Sequence, residues 1–174
     1  MTPGRLAPRP TPFDLRSVAP TIRELWHRFA PLPAGRWLFS RVLGRIVPYT
    51  GSIRPDVREL GPGGAVIALH DRRAVRNHLR SLHALALANL AELTTGLPLA
   101  FGVQPAGRTI LVSLTVDFVK KARGTVVATS SFTPPDASRD GEIEIPVEIR
   151  DGSGDVVARA RARWRYGPVP PGTS

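Results

Sequence analysis

Three polar residues interrupt a segment, residues 82–95, that otherwise consists mainly of leucine and alanine. His83 stands near its start, and Asn89 and Glu92 follow within it. A helix of this composition is apolar nearly all round and is expected to be buried on most sides. A buried carboxylate costs several kcal/mol unless it is paired, hydrogen-bonded or protonated. Glu92 is therefore a candidate functional residue, since carboxylates with perturbed pKa values cluster at such sites.

Structural roles are also open to these residues. Glu92 could pair with Arg76 or Arg80, or stand at an exposed corner of the helix. Asn89 is expected to hydrogen-bond the backbone, or its own counterpart across an interface between two chains. Without a shared site, His83 would be expected to stand at the start of the helix, with its ring nitrogens hydrogen-bonded to nearby groups.

The spacing of His83 and Glu92 limits how they can work together. They are nine residues apart, which in a helix is a rise of about 13.5 Å and about half a turn out of phase. They cannot act on one reacting atom from the same copy of the helix. If they belong to one site, Glu92 comes from a second chain across a two-fold axis, and the protein is a homodimer.

Length and composition indicate one ordinary domain of 174 residues, with 42% hydrophobic and 22% charged residues. This content supports a packed core and excludes wholesale disorder. The absence of cysteine excludes a disulfide scaffold, a thiolate metal site and a cysteine nucleophile. No apolar run is expected to reach the roughly 18 residues that span a bilayer. Residues 1–12 lack the apolar stretch of a secretory signal, so a cytoplasmic location is expected.

The net charge of +10 raises the question of nucleic-acid binding. Of the 24 basic residues, all but Lys120 and Lys121 are arginine, a bias typical of a GC-rich genome. The positive excess lies in residues 1–87, and no aromatic residues are interleaved there as a single-strand-binding surface requires. We therefore expect a small anionic substrate as partner, and no nucleic acid.

The first 48 residues predict an arm followed by a helical extension. Residues 1–19 are rich in proline and arginine and predict a flexible arm. A capping box at Thr21–Glu24 predicts the start of a helix that stops before Pro31. A second amphipathic helix is predicted over Gly35–Val47 and ends at Pro48. We expect the extension, residues 20–48, to pack on the domain and cover a pocket, although aromatic-rich helices of this kind could also lie on a membrane surface.

From residue 52 onward the patterning predicts an α+β domain over residues 49–168, followed by a tail over residues 169–174. Apart from the central helix Leu82–Thr95, the segments alternate apolar and polar residues as half-buried strands do. The predicted strands are Ser52–Leu60, Ala65–Asp71, Thr109–Val119, Thr125–Phe132, Glu142–Arg150 and Val156–Tyr166. Six strands and one central helix in this order predict an antiparallel sheet.

The last two strands allow a register to be predicted. A two-residue loop at Gly152-Ser153 would set Ile149 opposite Val156 and Glu142 opposite Arg163. Apolar residues then share one face and opposite charges share the other. The arginines at every second position of the last strand are thus interpreted as a solvated face matched by glutamates, not as a phosphate site.

The segment from Arg76 to Glu92, RNHLRSLHALALANLAE, resembles the signature of the hotdog-fold acyl-CoA thioesterases of the PaaI-like type, and most closely an uncharacterised actinobacterial-type branch. That family has an Asn six residues before a His and an acid nine residues after it, and Asn77, His83 and Glu92 match both spacings. The resemblance covers roughly residues 48–166, including VDFVKKARG over residues 116–124. It implies an antiparallel sheet wrapped around one long central helix. The chain departs from the family pattern in having Ala84-Leu85 in place of Gly-Gly, and Glu in place of the commoner Asp.

In such enzymes the thioester lies at a dimer interface, with its carbonyl oxygen at the start of the central helix. The resemblance implies that the Ala84 N–H faces this oxygen, that Asn77 and His83 orient the carbonyl or the attacking water, and that Glu92 of the other chain acts as general base or nucleophile. Three further residues, which a solvated turn would explain equally well, are implied to bind CoA phosphates: Lys120, Lys121 and Arg123.

The resemblance thus predicts a thioester hydrolase that forms a homodimer or a dimer of dimers. Its substrate would be an acyl-CoA or an acyl carrier protein, and no cofactor or metal is expected. Two alternatives remain open. One is a hotdog lyase or hydratase acting on an enoyl or β-substituted acyl thioester. The other is a non-catalytic module that binds acyl-CoA or lipid, in which Ala84 and Leu85 have closed the oxyanion site.

Overall fold

The computed structural model describes residues 15–103 and 107–168, with side chains from residue 22 onward. Four α-helices and six β-strands make up these residues, together with a short 3-10 turn at Arg73–Val75. In chain order they are α1 (Leu15–Phe29), α2 (Gly35–Ile46), α3 (Pro48–Ile53), β1 (Asp56–Gly61), β2 (Gly64–Leu69), α4 (Ala84–Gly102), β3 (Gly107–Phe118), β4 (Val126–Ser131), β5 (Gly141–Arg150) and β6 (Val156–Pro168).

The N-terminal extension is more helical than its sequence predicts. Helix α1 begins at Leu15, inside the predicted arm, so the capping box at Thr21–Glu24 lies within a helix and does not start one. The helix continues through Pro20. Residues 1–14 of the predicted arm and the predicted tail lie outside the described residues.

Helix α2 ends as predicted, but Pro48 then opens a second, short helix. Proline is favoured at the first position of a helix because its missing N–H would have no partner there. Helix α3 occupies residues 48–53, and Arg54 follows it with a φ of +51°. The first strand therefore starts at Asp56, four residues later than predicted.

The six strands form one antiparallel sheet in the order β1-β2-β4-β5-β6-β3. The predicted hairpin between β1 and β2 is confirmed. A side chain at Gly63, between these strands, would place its Cβ 2.6 Å from the Phe132 carbonyl oxygen, so only glycine fits there. The long helix α4 packs across the sheet, and its buried face forms the core with the inner residues of the strands. This is the predicted α+β architecture.

Helix α4 is longer than predicted because Pro98 does not end it. The carbonyl oxygen left free by the missing proline N–H, that of Thr94, accepts a hydrogen bond from Ser130 on β4. Two residues after Thr94, the Trp164 indole on β6 lies so close to Gly96 that an added Cβ would meet the ring at 2.5 Å. Its Nε1 donates to the Thr95 hydroxyl at 3.1 Å. The small residue at position 96 allows α4 to lie directly on the sheet.

By length and hydropathy α4 could also cross a membrane, contrary to the expectation that no apolar run is long enough. Within the protein, however, 72% of its most apolar 18-residue window is buried. The helix serves here as the core of the domain.

The predicted register between β5 and β6 is wrong by two residues. Ile149 lies opposite Ala158, and Glu142 lies opposite Arg165. The loop is longer than the predicted two residues because the Asp151 carboxylate accepts the N–H groups of Ser153 and Asp155. A shift of two residues leaves every side chain on its predicted face, since the side-chain period of a strand is also two.

The interpretation of the arginine face of β6 is supported by its ion pairs. Glu148 accepts a hydrogen bond from Arg159 at 3.1 Å, and Glu142 accepts one from Arg165 at 2.8 Å. Arg163 lies 3.8 Å from Glu142. These charges are matched across strands, as expected for a solvated face.

Candidate functional site

The loop before α4 holds Asn77 in one orientation. The Asn77 side-chain oxygen accepts the N–H of Leu79 at 2.9 Å, the N–H of Ser81 at 3.2 Å and the Ser81 hydroxyl at 3.1 Å. The Asn77 N–H in turn donates to the Ser81 carbonyl at 2.8 Å, which closes the loop. The oxygen is thus fully used by the loop, and the Asn77 amide nitrogen is the group left for a ligand.

His83 is the N-cap residue of α4. Its Nδ1 accepts the N–H of Leu85 at 3.1 Å, so the neutral ring carries its proton on Nε2. The His83 carbonyl accepts the N–H groups of Ala86 at 2.9 Å and Leu87 at 3.2 Å. The predicted role of His83 as a helix-start residue is therefore confirmed, and its exposed ring retains one donor.

The Ala84 N–H is the one donor of the first helical turn that has no acceptor among the described residues. The groups that follow it, on Leu85, Ala86 and Leu87, all bond to His83. A free N–H at the start of a long helix carries the positive end of the helix dipole. This position suits a carbonyl oxygen or an anion.

A cavity of about 300 Å³ lies beside this helix start. It is bounded by the loop of residues 77–82, the first turns of α4 and the segment that follows β3. The N–H of Leu82 donates to the Ala122 carbonyl at 2.8 Å and joins the two loops. Of the predicted site residues, four line this cavity: Asn77, Ala84, Lys120 and Lys121. His83 adjoins it in sequence, whereas Glu92 and Arg123 are not among its lining residues.

Glu92 lies further along α4, on the face that also carries Leu85 and Ala88. These residues follow the spacing i, i+3, i+7 of one helix face, and Leu85 is 63% exposed. Glu92 is mostly buried, and burial raises the pKa of its carboxyl above the ordinary value. The structural alternative of a pair with Arg76 is excluded, because Arg76 binds Asp71 at 2.6 Å. Among the described side chains, none forms an ion pair with Glu92.

Asn89 bonds the backbone, as expected. Its amide nitrogen donates to the Tyr49 carbonyl at 3.2 Å and ties α4 to α3. Its side-chain oxygen is buried and finds no partner within the described ranges.

The three predicted phosphate ligands differ in their surroundings. The Lys120 ammonium lies 2.8 Å from Asp151 and 2.5 Å from Asp155, and hydrogen bonds to these two carboxylates raise its pKa. Its charge is therefore already neutralised. Lys121 and Arg123 are exposed and make no ion pair in the part of the chain that the structure describes. Their role with a substrate remains a prediction.

Three apolar residues that were not predicted as site residues also line the cavity while remaining about half exposed. They are Leu79, Phe118 and Val119. The adjacent pair at 118 and 119 breaks the alternation of β3, and that break was a usable signal. Together with Leu82 and Leu87 they give the cavity an apolar wall beside its polar end. Within residues 15–103 and 107–168, no three histidine or acidic side chains gather as a metal site requires.

Comparison with known proteins identifies a family and a fold. The family model described as Domain of unknown function (DUF4442) matches residues 35–166. The structural-genomics protein APC5556 is 29% identical, with 86% of this chain and 99% of that chain covered and a TM-score of 0.75. A Pseudomonas aeruginosa protein of unknown function, named as a probable thioesterase, is 20% identical over 79% of this chain and 97% of its own, with a TM-score of 0.69.

A thioesterase enzyme of Staphylococcus aureus is also similar in structure. It is 16% identical, and 70% of this chain and 99% of that chain are covered at a TM-score of 0.63. No curated protein matches the chain significantly in sequence. The structural likenesses, with the antiparallel sheet around α4, confirm the hotdog fold.

Proposed function

The chain belongs to the DUF4442 family, and from the cavity at the start of α4 we propose that it is a homodimeric thioesterase that hydrolyses an acyl-CoA or an acyl carrier protein. The observation that carries this proposal is the free Ala84 N–H, the single donor of the helix start without an acceptor in the described chain. The names of the similar structures from Staphylococcus aureus and Pseudomonas aeruginosa agree with this activity.

The thioester carbonyl oxygen would accept the Ala84 N–H. Water attacks the carbonyl carbon, and negative charge grows on this oxygen as the tetrahedral intermediate forms. A fixed N–H at the positive end of a helix stabilises that charge more than the neutral carbonyl, which lowers the barrier. The C–S bond then breaks, and the products are a carboxylic acid and a free thiol.

Two donors beside Ala84 would orient the reactants. The loop holds the Asn77 amide so that its nitrogen is available, and the His83 ring has a proton on Nε2. Either group can donate to the carbonyl or to the attacking water. Both side chains are held by backbone N–H groups two to four residues further along the chain, which pre-organises them for the substrate.

Glu92 of the second chain would take the proton from water and return it to the sulfur as the C–S bond breaks. A general base is most effective when its pKa approaches the working pH, and burial shifts the Glu92 pKa in that direction. In its own chain Glu92 lies about half a turn out of phase with His83 and about 13.5 Å along the helix. A two-fold axis beside α4 would bring it to the cavity of the partner.

The sheet offers the surface for such a dimer. Strand β3 is an edge strand of the sheet, beside β6, and it is 12 residues long. Its outer edge pairs with no other strand among the described residues, and two exposed side chains of this strand are apolar, Ile110 at 63% and Val112 at 40%. A long apolar edge is prone to pair with another strand. A second copy of β3 would satisfy this edge, and Leu85 on α4 would be covered with it.

The substrate would lie with its acyl chain against the apolar wall at Leu79, Phe118 and Val119. The phosphates of a CoA or carrier-protein arm would meet Lys121 and Arg123. Lys120 is the weakest of the three predicted ligands, because Asp151 and Asp155 already bind it. The free Ala84 N–H argues against the binding-module alternative, which requires a closed oxyanion site.

A panel of acyl-CoA substrates tests the proposal. Release of free CoA thiol, detected with a thiol reagent, with the carboxylic acid identified by mass spectrometry, supports hydrolysis. Conversion that leaves the thioester intact would favour the lyase or hydratase, and tight binding without turnover would favour the binding module. The Glu92→Gln variant, purified in parallel, excludes a contaminating hydrolase.

A further inference from the structure

A second and larger cavity, of about 800 Å³, lies under the N-terminal extension. It is bounded by α2, α3, the start of β1 and the end of β2, and it shares no lining residue with the cavity at Ala84. Its size falls in the range of small-molecule sites. Four arginines line it: Arg41, Arg45, Arg54 and Arg72. They are part of an arginine excess that is typical of a GC-rich genome, but the fold gathers these four in one place.

The positive charge of this cavity is not compensated by the protein. Asp56 is the one acidic residue of its lining, and it is shared between Arg58 and His70, each at 3.3 Å. None of the four lining arginines makes an ion pair with a carboxylate among the described residues. Burial, together with repulsion from Arg54, lowers the pKa of Arg72. An anion in the cavity would offset both effects, because a nearby negative charge favours the charged guanidinium.

The walls of the cavity are held in place by close backbone contacts. Helices α2 and α3 touch at Gly44 and Gly51, where a Cβ on Gly51 would lie 2.0 Å from the Gly44 carbonyl oxygen. The Arg72 guanidinium donates to the Ser52 carbonyl at 2.5 Å and is fixed against α3. The arginines therefore project from a rigid frame, which reduces the entropy lost when a ligand binds.

An aromatic ring borders the same cavity. Trp37 is 59% exposed, and the Arg41 guanidinium lies 5.3 Å from its ring centre. Such a pairing places a cation and a flat apolar surface side by side. This combination suits a ligand with both anionic and planar or apolar parts.

We propose that the cavity between α2, α3 and the β1–β2 hairpin binds a small molecule carrying at least two phosphate groups. Guanidinium groups bind phosphate oxygens through paired hydrogen bonds, and four of them can serve more than one phosphate. The exposed Trp37 ring would contact the remainder of the molecule. This site does not depend on the proposed thioesterase reaction, since its residues are distinct from those at Ala84.

Isothermal titration with inorganic pyrophosphate and with CoA tests the proposal, at about 0.15 M salt to screen weak surface attraction. The test variant is Arg45→Gln/Arg54→Gln. The matched control is Arg161→Gln/Arg163→Gln on the outer face of β6, which removes the same charge from another surface. We expect saturable binding of at least one of the two probes by the wild type and the control. Binding by the test variant should be weaker by about tenfold or more, as expected for the loss of charge-assisted hydrogen bonds.

Two results would overturn the proposal. The first is no saturable binding of either probe by the wild type, and binding to phosphatidylglycerol vesicles in that case would indicate a lipid surface. The second is equal affinity of the test and control variants, which would show that these arginines do not form a specific site. Because the readout is binding, a failure to hydrolyse thioesters leaves the outcome unaffected. Circular dichroism of each variant confirms that it is folded.

Discussion

The Ser130 hydroxyl donates a hydrogen bond of 2.6 Å to the carbonyl oxygen of Thr94, and both residues are buried. In an unbroken helix this carbonyl would accept the N–H of residue 98, but residue 98 is proline. Strand β4 thus supplies the donor that the helix lacks. The bond keeps α4 continuous from the candidate site at Ala84 to Gly102.

Loss of this bond should destabilise the fold. Ser130→Ala leaves a buried carbonyl without a partner, and we expect the free energy of unfolding to fall by about 1–3 kcal/mol in urea titration. Ser131→Ala, at the exposed neighbouring position, is the control and should change stability by less than about 0.5 kcal/mol. Equal effects of the two substitutions would show that the Thr94 carbonyl does not need Ser130.

The Ala84 N–H can be removed with little disturbance of the helix. Proline is favoured at the first helical position, and the preceding His83 has the extended backbone that proline requires, with a ψ of 139°. Ala84→Pro should therefore fold normally and lose thioester hydrolysis by about 10²- to 10³-fold, as expected for loss of an oxyanion donor. Ala84→Ser retains the N–H and should remain active. Full activity of Ala84→Pro would remove this N–H from the mechanism.

The raised pKa of Glu92 has a consequence for stability. The folded state holds the Glu92 proton more tightly than the unfolded state, so ionisation of this buried group destabilises the fold as pH rises through its raised pKa. The Gln side chain of the Glu92→Gln variant does not ionise. The thermal midpoint of this variant relative to the wild type should therefore increase with pH, starting from the ordinary glutamate range. Glu59→Gln, at an exposed position, controls for the loss of one charge. A difference that stays constant with pH would mean that burial does not perturb Glu92.

The shared site predicts complementation between two inactive variants. In a heterodimer of Asn77→Ala and Glu92→Ala chains, one of the two sites has both residues intact. Random exchange of subunits should therefore restore about a quarter of wild-type activity, as two-fold symmetry requires. Exchange of Asn77→Ala with the double variant Asn77→Ala/Glu92→Ala creates no intact site and is the control. Absence of recovery after verified exchange would show that each site is built within one chain.

The sequence predicted the elements of the domain more reliably than their limits and register. Alternation identified the strands, because one face of each is buried, and a strand period of two kept the faces of β5 and β6 correct in the wrong register. The extent of α4 could not be predicted, since the donor for the carbonyl that Pro98 leaves free is Ser130, a residue 32 positions away from the proline.

The candidate site shows the same limit. His83 and Glu92 stood out in the sequence because they interrupt an apolar segment, whereas Asn77 was identified through the resemblance to the hotdog thioesterases. The hydrogen bonds of these side chains could not be predicted, because they depend on the turn that places Asn77 opposite Ser81. The ion pairs of Lys120 with Asp151 and Asp155 could likewise not be predicted from the sequence, since only the folded sheet brings those residues together.

The measurement that tests the proposed function most directly is the rate of acyl-CoA hydrolysis by Glu92→Gln. The amide keeps the shape of the side chain but cannot accept a proton from water. We expect hydrolysis to fall by about 10²-fold or more, in the range of a general base, while acyl-CoA still binds and Glu92→Asp remains partly active. In the wild type the rate should also fall as pH drops through the raised Glu92 pKa. Hydrolysis by Glu92→Gln at the wild-type rate would contradict the assignment and make Glu92 a structural residue.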